Sequence, residues 1–260
     1  MYRVPGESRV RNDLKTGSPA RLARLVRLAE VVIFPSFCRT CGKLLERPGE
    51  RVICRDCLDE IVPCRAPHCP SCGRFFEGTG ESHLCGSCLD AAPPFALHRS
   101  AGRYGGRLKE AILLLKYRVF RPLGRELAAF AHRALEREEG LWWNIECLVP
   151  VPLHRRRYRE RGFNQAGLLA REVGRLTGLP VERRVLKKVQ ATAAQTSLER
   201  GERRENVRGA FSVVRPERIR GKTVLLVDDV YTTGATVREC AGALRKAGAG
   251  EVRALTLAQA

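Results

Sequence analysis

An unbroken apolar run, Val224-Leu225-Leu226-Val227, leads straight into two acids, Asp228 and Asp229. The hydroxyl-rich stretch Val230-Tyr231-Thr232-Thr233-Gly234-Ala235-Thr236 follows. No other stretch restricts the fold as much. A strand that is apolar at every position is buried on both faces, the habit of parallel sheets covered by helices. Val237, Cys240, Ala241 and Leu244 then recur at helical spacing, so the stretch reads as strand, loop and helix. In open α/β sheets, ligands sit beyond the carboxyl ends of the strands. A helix start there offers free N–H groups and a positive dipole end to a phosphate. Thr232, Thr233 and Thr236 add hydroxyls, and Gly234 lets the backbone approach closely. A bare phosphate would be repelled by the neighbouring acids. A phosphorylated sugar satisfies both features, with its hydroxyls on the carboxylates and its 5-phosphate in the loop. A buried strand with a mere Asp-Asp turn would leave two acids and three threonines without a task.

This stretch resembles the phosphoribosyl pyrophosphate signature of type I phosphoribosyltransferases. The resemblance implies an α/β fold, a parallel sheet flanked by helices. It also implies that Asp228 and Asp229 are catalytic and that Val230, Thr232, Thr233, Gly234, Ala235 and Thr236 bind the ribose phosphate.

The eleven cysteines are the second constraint. Cys38-x-x-Cys41-Gly42 recurs 31 positions later as Cys69-x-x-Cys72-Gly73, and Cys54-x-x-Cys57-Leu58-Asp59 as Cys85-x-x-Cys88-Leu89-Asp90. Glu46, Gly49 and Glu50 return at the same offset as Glu77, Gly80 and Glu81. A CxxC turn aims two thiolates at one ion, and two turns complete a tetrahedral Cys₄ zinc site with no position left for a reacting water. Such sites are structural. Duplication of the whole unit favours one Zn²⁺ per copy; a cross-brace, in which pairs from different copies share an ion, is the alternative. Disulfides are not expected in a reducing compartment. Cys147 and Cys240 lie in apolar surroundings and read as core residues, while Cys64 and His68 fall between the copies.

The remaining chain is read in order. Residues 1–19 are polar and punctuated by Pro and Gly, and an amphipathic helix is expected from Ala20 to Ile33, ended by Pro35. The expected divisions are a basic tail and helix over 1–35, a double zinc ribbon over 36–92, and a phosphoribosyltransferase-like domain over 93–260. Within the last, Phe95–Tyr104 is strand-like, helices are expected around Leu108–Lys116 and over Leu123–Leu135, and Trp142 and Trp143 are assigned to the core. Cys147–Leu153 reads as a strand, followed by an arginine block (Arg155, Arg156, Arg157, Arg159, Arg161) and a helix opened by Gly162-Phe163-Asn164-Gln165. Cations beside a helix start suit a pyrophosphate, so Arg155 and Arg161 are candidates for it. Val181–Val189 and Gly209–Val214 have strand character, and Val252–Leu257 supplies a last strand. The polar, basic run from Gln190 to Gly209, carrying Gln195, Arg200 and Asn206, is expected to be either disordered or a mobile lid over the same pyrophosphate.

The combination of the double CxxC repeat, Leu114-Leu115-Lys116-Tyr117, Val149-Pro150-Val151-Pro152-Leu153, Arg161-Gly162-Phe163-Asn164-Gln165, Gln195 with Arg200 and Asn206, and the ribose-phosphate motif resembles the ComF family of competence-associated proteins. That resemblance covers nearly everything from Phe34 to Leu257. It implies zinc ribbons joined to a phosphoribosyltransferase-type domain, Mg²⁺ with phosphoribosyl pyrophosphate as ligand, and a role in DNA uptake beside competence or DNA-processing proteins. It names no acceptor.

Charge adds a second reading. With 47 Lys and Arg against 28 Asp and Glu, the net charge of +19 favours anionic partners. A single-stranded DNA-handling adaptor, its sugar-phosphate site a sensor or relic, is the rival to an enzyme. No apolar run reaches the roughly 18 residues of a transmembrane helix, and no secretory leader is evident, so a cytoplasmic protein is expected.

Overall fold

The computed structural model describes residues 35–47, 50–117, 120–190 and 207–260. The expected N-terminal tail and helix lie outside them, as do Gln195, Arg200 and Asn206 of the expected lid.

Two small units come first. Each opens on a knuckle whose glycine takes a left-handed conformation (Gly42 φ 76°, Gly73 φ 67°), which L-residues with a Cβ resist. The Gly42 and Gly73 amides donate to the Cys38 and Cys69 carbonyls at 2.9 and 2.8 Å. Each closes on a single helical turn, α1 (Arg55–Asp59) and α2 (Gly86–Asp90), started by the third cysteine of its copy.

The larger unit begins with strand β1 (Leu97–Arg103), helices α3 (Gly106–Tyr117), α4 (Leu123–Leu135) and α5 (Glu139–Trp142), and strand β2 (Cys147–Pro150). Helices α6 (Arg155–Arg161) and α7 (Gln165–Thr177) follow, then strands β3 (Leu186–Lys188), β4 (Phe211–Val213) and β5 (Thr223–Tyr231), helix α8 (Ala235–Lys246) and strand β6 (Glu251–Gln259). β1, β6, β5 and β2 form a parallel sheet in that order, and β3 pairs antiparallel with β4. The α/β expectation is met, and α4 spans the residues its apolar spacing marks out.

Alternation along the central strands sorts the core into two faces. Leu225, Val227, Leu255, Leu257 and Leu148 pack with α3, α4, α7 and the first cysteine unit. Val224, Leu226, Val252, Ala254, Cys147 and Val149 pack with α8, the β3–β4 pair and the second cysteine unit. Each of these side chains is fully buried or nearly so, contributing roughly 1.5–3 kcal/mol for a Val or Leu. The two cysteine units therefore cover opposite faces of one sheet.

Several sequence expectations are corrected. β5 does not end at Val227; it runs to Tyr231, because β6 pairs with it as far as Tyr231↔Gln259. β2 leaves the ladder after Pro150↔Val227: the Val151 amide still donates to the Val227 carbonyl at 2.9 Å, but the Val151 carbonyl accepts from the Asn164 side chain instead of from β5. The arginine block is a helix with no buried residue. Within Val181–Val189 only Leu186–Lys188 is strand, with Val181 making one bridge to Leu148. Trp143 is 68% exposed, so only Trp142 packs, its indole N–H donating to the Leu135 carbonyl at 2.7 Å.

Candidate functional site

The early end of the β2–β5 pairing creates the site. From Asp228 onward β5 has, among the described residues, a neighbour on the β6 side only, and the other side faces a cleft of about 130 Å³. Asp228, Asp229 and Thr236 line it from β5 and α8, Val151–Leu153 from the end of β2, and Asn164–Ala166 from the start of α7. Lys116, Arg157, Arg161 and Lys188 bring four cations to the same space.

The acids are unlike one another. Asp229 Oδ2 lies 2.9 Å from the Lys116 ammonium, and both side chains are largely covered. Asp228 Oδ1 accepts from the Asp229 amide at 2.9 Å. Burial, and then the negative charge of Asp229, push the Asp228 carboxyl up to about 7, against the pull of that amide and of Lys116 and Lys188. Burial also draws the Lys188 ammonium below its ordinary value, with Arg157 acting in the same direction.

The loop after the acids turns at Gly234, whose φ of 76° makes it the N-cap of α8. A Cβ there would stand 2.2 Å from the Tyr231 hydroxyl, so position 234 excludes any larger residue twice over. The Thr233 hydroxyl accepts from the Ala235 amide at 3.4 Å. Across the cleft, Asn164 at the start of α7 does not cap its helix; its side-chain amide donates to the Val151 carbonyl at 2.9 Å. Gln165 is 1% exposed, and its Nε2 finds no hydrogen-bond partner among the described residues. An orphaned buried amide costs roughly 1–3 kcal/mol, a cost that a ligand oxygen would remove.

The sequence-derived candidates are thus partly gathered. Asp228, Asp229, Thr236 and Arg161 meet in the cleft, with Val230, Thr232, Thr233, Gly234 and Ala235 on the adjoining strand end and turn. Arg155 is exposed on α6, and its neighbour Arg157 lines the cleft instead. Sequence reasoning gave no site role to Lys116, Lys188, Asn164 or Gln165, although all but Lys188 stand in the motifs quoted for the family resemblance. Lys116 had a further signal, a cation directly after the buried Leu115 of α3. Lys188 had none, because its hairpin reaches the cleft only through tertiary packing.

The eight CxxC cysteines form two groups, Cys38, Cys41, Cys54, Cys57 and Cys69, Cys72, Cys85, Cys88, with all ligand atoms of a group within 4.8 Å of one another. The pairing is within each copy, which removes the cross-brace alternative. Tetrahedral Zn²⁺ with bonds of about 2.3 Å needs sulfurs about 3.8 Å apart. Cys38–Cys57 at 3.9 Å, Cys41–Cys54 at 3.6 Å and Cys72–Cys85 at 3.6 Å fit that ion. The Cys54 and Cys85 amides donate to Cys38 and Cys69 Sγ at 3.3 and 3.4 Å, the donors a thiolate needs. Cys147 and Cys240 are wholly buried core residues.

Comparison with known proteins agrees with this architecture. Residues 159–260 match the phosphoribosyl transferase domain, and residues 30–89 match the double zinc ribbon domain. The chain is 40% identical to competence protein F of Haemophilus influenzae, over 44% of its length and 51% of that protein's. It is 38% identical to DNA utilization protein YhgH of Escherichia coli K12, over 41% of its length and 46% of that protein's. It is 36% identical to competence protein ComFC of Bacillus subtilis, over 42% and 43%. These names bear out the resemblance to the ComF family. The matches span about half the length of these relatives. Among the described residues no helix is long and apolar enough to cross a membrane.

Proposed function

With homologues named competence protein F and ComFC and a phosphoribosyl transferase domain as the premise, we propose that this chain binds phosphoribosyl pyrophosphate with Mg²⁺ in the β2–β5 cleft and transfers its phosphoribosyl group, in the service of DNA uptake. The observation that carries the reading is the pair Asp228–Asp229 on an unpaired strand edge, beside a glycine-capped helix start and facing four cations. Carboxylates would take the ribose hydroxyls, and Thr232–Thr236 with the first amides of α8 would take the 5-phosphate. Arg157, Arg161, Lys188 and the orphaned Gln165 amide suit the pyrophosphate.

In the transfer, the bond from ribose C1 to pyrophosphate breaks, and its electron pair leaves with the pyrophosphate. A lone pair of the acceptor closes on C1, and the acceptor gives up a proton. Positive charge grows on the ring between these events, and Asp228 and Asp229 stabilise it. Mg²⁺, which would be held mainly by the ligand's own oxygens beside this acid pair, would supply charge neutralisation for the leaving group. The zinc ribbons take no part in the chemistry.

Calorimetry with phosphoribosyl pyrophosphate, with and without Mg²⁺, tests the binding. A screen of amines and nucleobases for pyrophosphate release tests the transfer and seeks the acceptor. No heat of binding in either condition would overturn the reading.

One observation favours the adaptor reading as well. Helix α6 carries five arginines, and Arg155, Arg156 and Arg159 are exposed. Single-stranded DNA on such a surface would bind with little sequence preference and weaken steeply with salt. A titration showing no binding at low salt would remove it.

A further inference from the structure

The loop and the second ribbon share a wall. His98 on β1 is fully buried, and its Nδ1 donates to the Cys72 carbonyl at 2.8 Å. Its Nε2 is therefore the acceptor, facing the Thr256 and Ser100 hydroxyls at 3.0 and 3.3 Å. The His98 amide donates to the Ser71 carbonyl at 2.8 Å, so backbone and side chain both grip the Cys69–Cys72 knuckle. The other side of the imidazole stacks on Tyr231, with centroids 4.0 Å apart and planes within 19°. The Tyr231 ring in turn occupies the space where a Cβ on Gly234 would fall. A second strut runs in parallel. Arg238, on the first turn of α8, donates to the Ala91 carbonyl at 3.2 Å and reaches Cys88 Sγ at 3.9 Å.

We propose that the second ribbon, acting through His98 and Tyr231, holds the 232–236 loop in its ligand-binding shape, so that metal loading of Cys69, Cys72, Cys85 and Cys88 governs affinity for a sugar phosphate while the first ribbon does not. The proposal rests on the reading of that loop as the 5-phosphate site. His98 and Tyr231 are positioning residues on this account. A zinc-dependent protein fold beneath a binding loop couples the two as a matter of linkage, since any ion that holds the knuckle in place favours the loop conformation built on it.

The test compares the full-length chain with Cys85→Ser, His98→Asn and Glu126→Ala. Zinc content, amide hydrogen exchange of peptides covering 231–238, and affinity for phosphoribosyl pyrophosphate with Mg²⁺ are measured on each. Asn keeps a donor for the Cys72 carbonyl but removes the ring that stacks on Tyr231. His98→Asn should keep its full zinc content, exchange faster at 231–238 than wild type, and lose about fivefold to tenfold in affinity. Cys85→Ser should lose one zinc and show a larger effect at the same peptides. Glu126→Ala, which loosens only the first ribbon, should leave both readouts at wild-type values. Wild-type exchange at 231–238 in His98→Asn and in Cys85→Ser would overturn the proposal, as would an equal effect of Glu126→Ala. If the wild-type chain itself fails to bind phosphoribosyl pyrophosphate, the sugar-phosphate reading falls, and the exchange comparison by itself decides whether the ribbon shapes the loop.

Discussion

The two cysteine units have the same ligand spacing and the same local fold, yet they attach to the sheet through different surfaces. The first copy buries Val52 and Ile53 (3% and 1% exposed), and the Glu126 carboxylate of α4 accepts from the amides of Arg51, Val52 and Ile53 at 2.7, 3.2 and 3.2 Å. Thirty-one positions later the equivalent residues are His83 and Leu84, both exposed, Leu84 by 41%. Leu58 packs against the core, whereas its counterpart Leu89 is 68% exposed. The second copy docks instead through its knuckle, where the Pro70, Ser71 and Cys72 carbonyls accept from Arg99 and His98. Metal ligation fixes the inside of a ribbon and leaves its outside free to vary. Duplication supplied two identical frames, and the side chains between the ligands decide that one braces α3 and α4 while the other sits beneath the candidate loop.

The largest expected effect tests whether the two frames are independent. Cys54→Ser and Cys85→Ser should each reduce zinc from two ions per chain to one, as measured by atomic absorption on the purified protein. A Cys₄ site carries on the order of 10 kcal/mol of metal-linked folding energy, so each change should melt its own ribbon. Loss of both ions in either variant would mean that the ribbons fold as one unit.

Next in size is an effect that should spare both ribbons. Charge-assisted bonds to sugar hydroxyls are each worth roughly 1.5–3 kcal/mol. Asp228→Asn together with Asp229→Asn should therefore weaken phosphoribosyl pyrophosphate binding by about ten- to a thousandfold. Zinc content should be unchanged, because no acid of the pair touches a cysteine group. A purely structural pair predicts the reverse, a lowered Tm with affinity intact in whatever stays folded. Calorimetry and melting on one preparation separate these outcomes.

A smaller effect isolates the first dock. Glu126→Ala leaves three backbone amides without their acceptor, a cost of about 1–3 kcal/mol. Faster amide exchange should be confined to residues 50–58, with the second ribbon and the cleft unaffected. Protection unchanged at 51–53 would show that the carboxylate contributes nothing to docking.

Much of this comparison was legible in the chain, and the reasons for the remainder are physical. The 31-residue offset predicted both metal groups because ligand geometry is local. The apolar run at 224–227 predicted a buried parallel strand because burial on both faces leaves no other pattern. The reach of β5 to Tyr231 could not be read, because it depends on a partner, β6, that continues after the β2 ladder has ended at Pro150↔Val227. His98 was equally opaque: a histidine in a strand of mixed character gives no sign that it joins a knuckle to a tyrosine 133 positions away. Lys116 stood in a quoted motif, but its pairing with Asp229 was not legible there. Local motifs announce their chemistry; the contacts that couple one motif to another are written only in the tertiary structure.

The smallest expected effect concerns that Lys116 contact and follows from the sign of the Asp228 shift. Burial and Asp229 raise the Asp228 carboxyl to about 7, while Lys116 lowers it. A raised folded-state value means that the native protein holds the proton more tightly than the unfolded chain. Stability contributed by this group is therefore greatest below the ordinary carboxylate range and is lost as pH climbs toward 7. Ligand affinity should run the other way, because ribose hydroxyls and Mg²⁺ prefer the carboxylate. Binding of phosphoribosyl pyrophosphate should strengthen with rising pH and level off above about 7, by at most about tenfold per pH unit on the rising part. Lys116→Met removes the cation that favours ionisation, so its binding curve should rise at higher pH than that of the wild type, with the second ribbon's zinc retained. The shift is the discriminating readout, since a lysine that merely packed α3 against the cleft would change the height of the curve and leave its midpoint in place. A midpoint that moves to lower pH in Lys116→Met would mean that Lys116 does not act on the acid pair as a neighbouring positive charge.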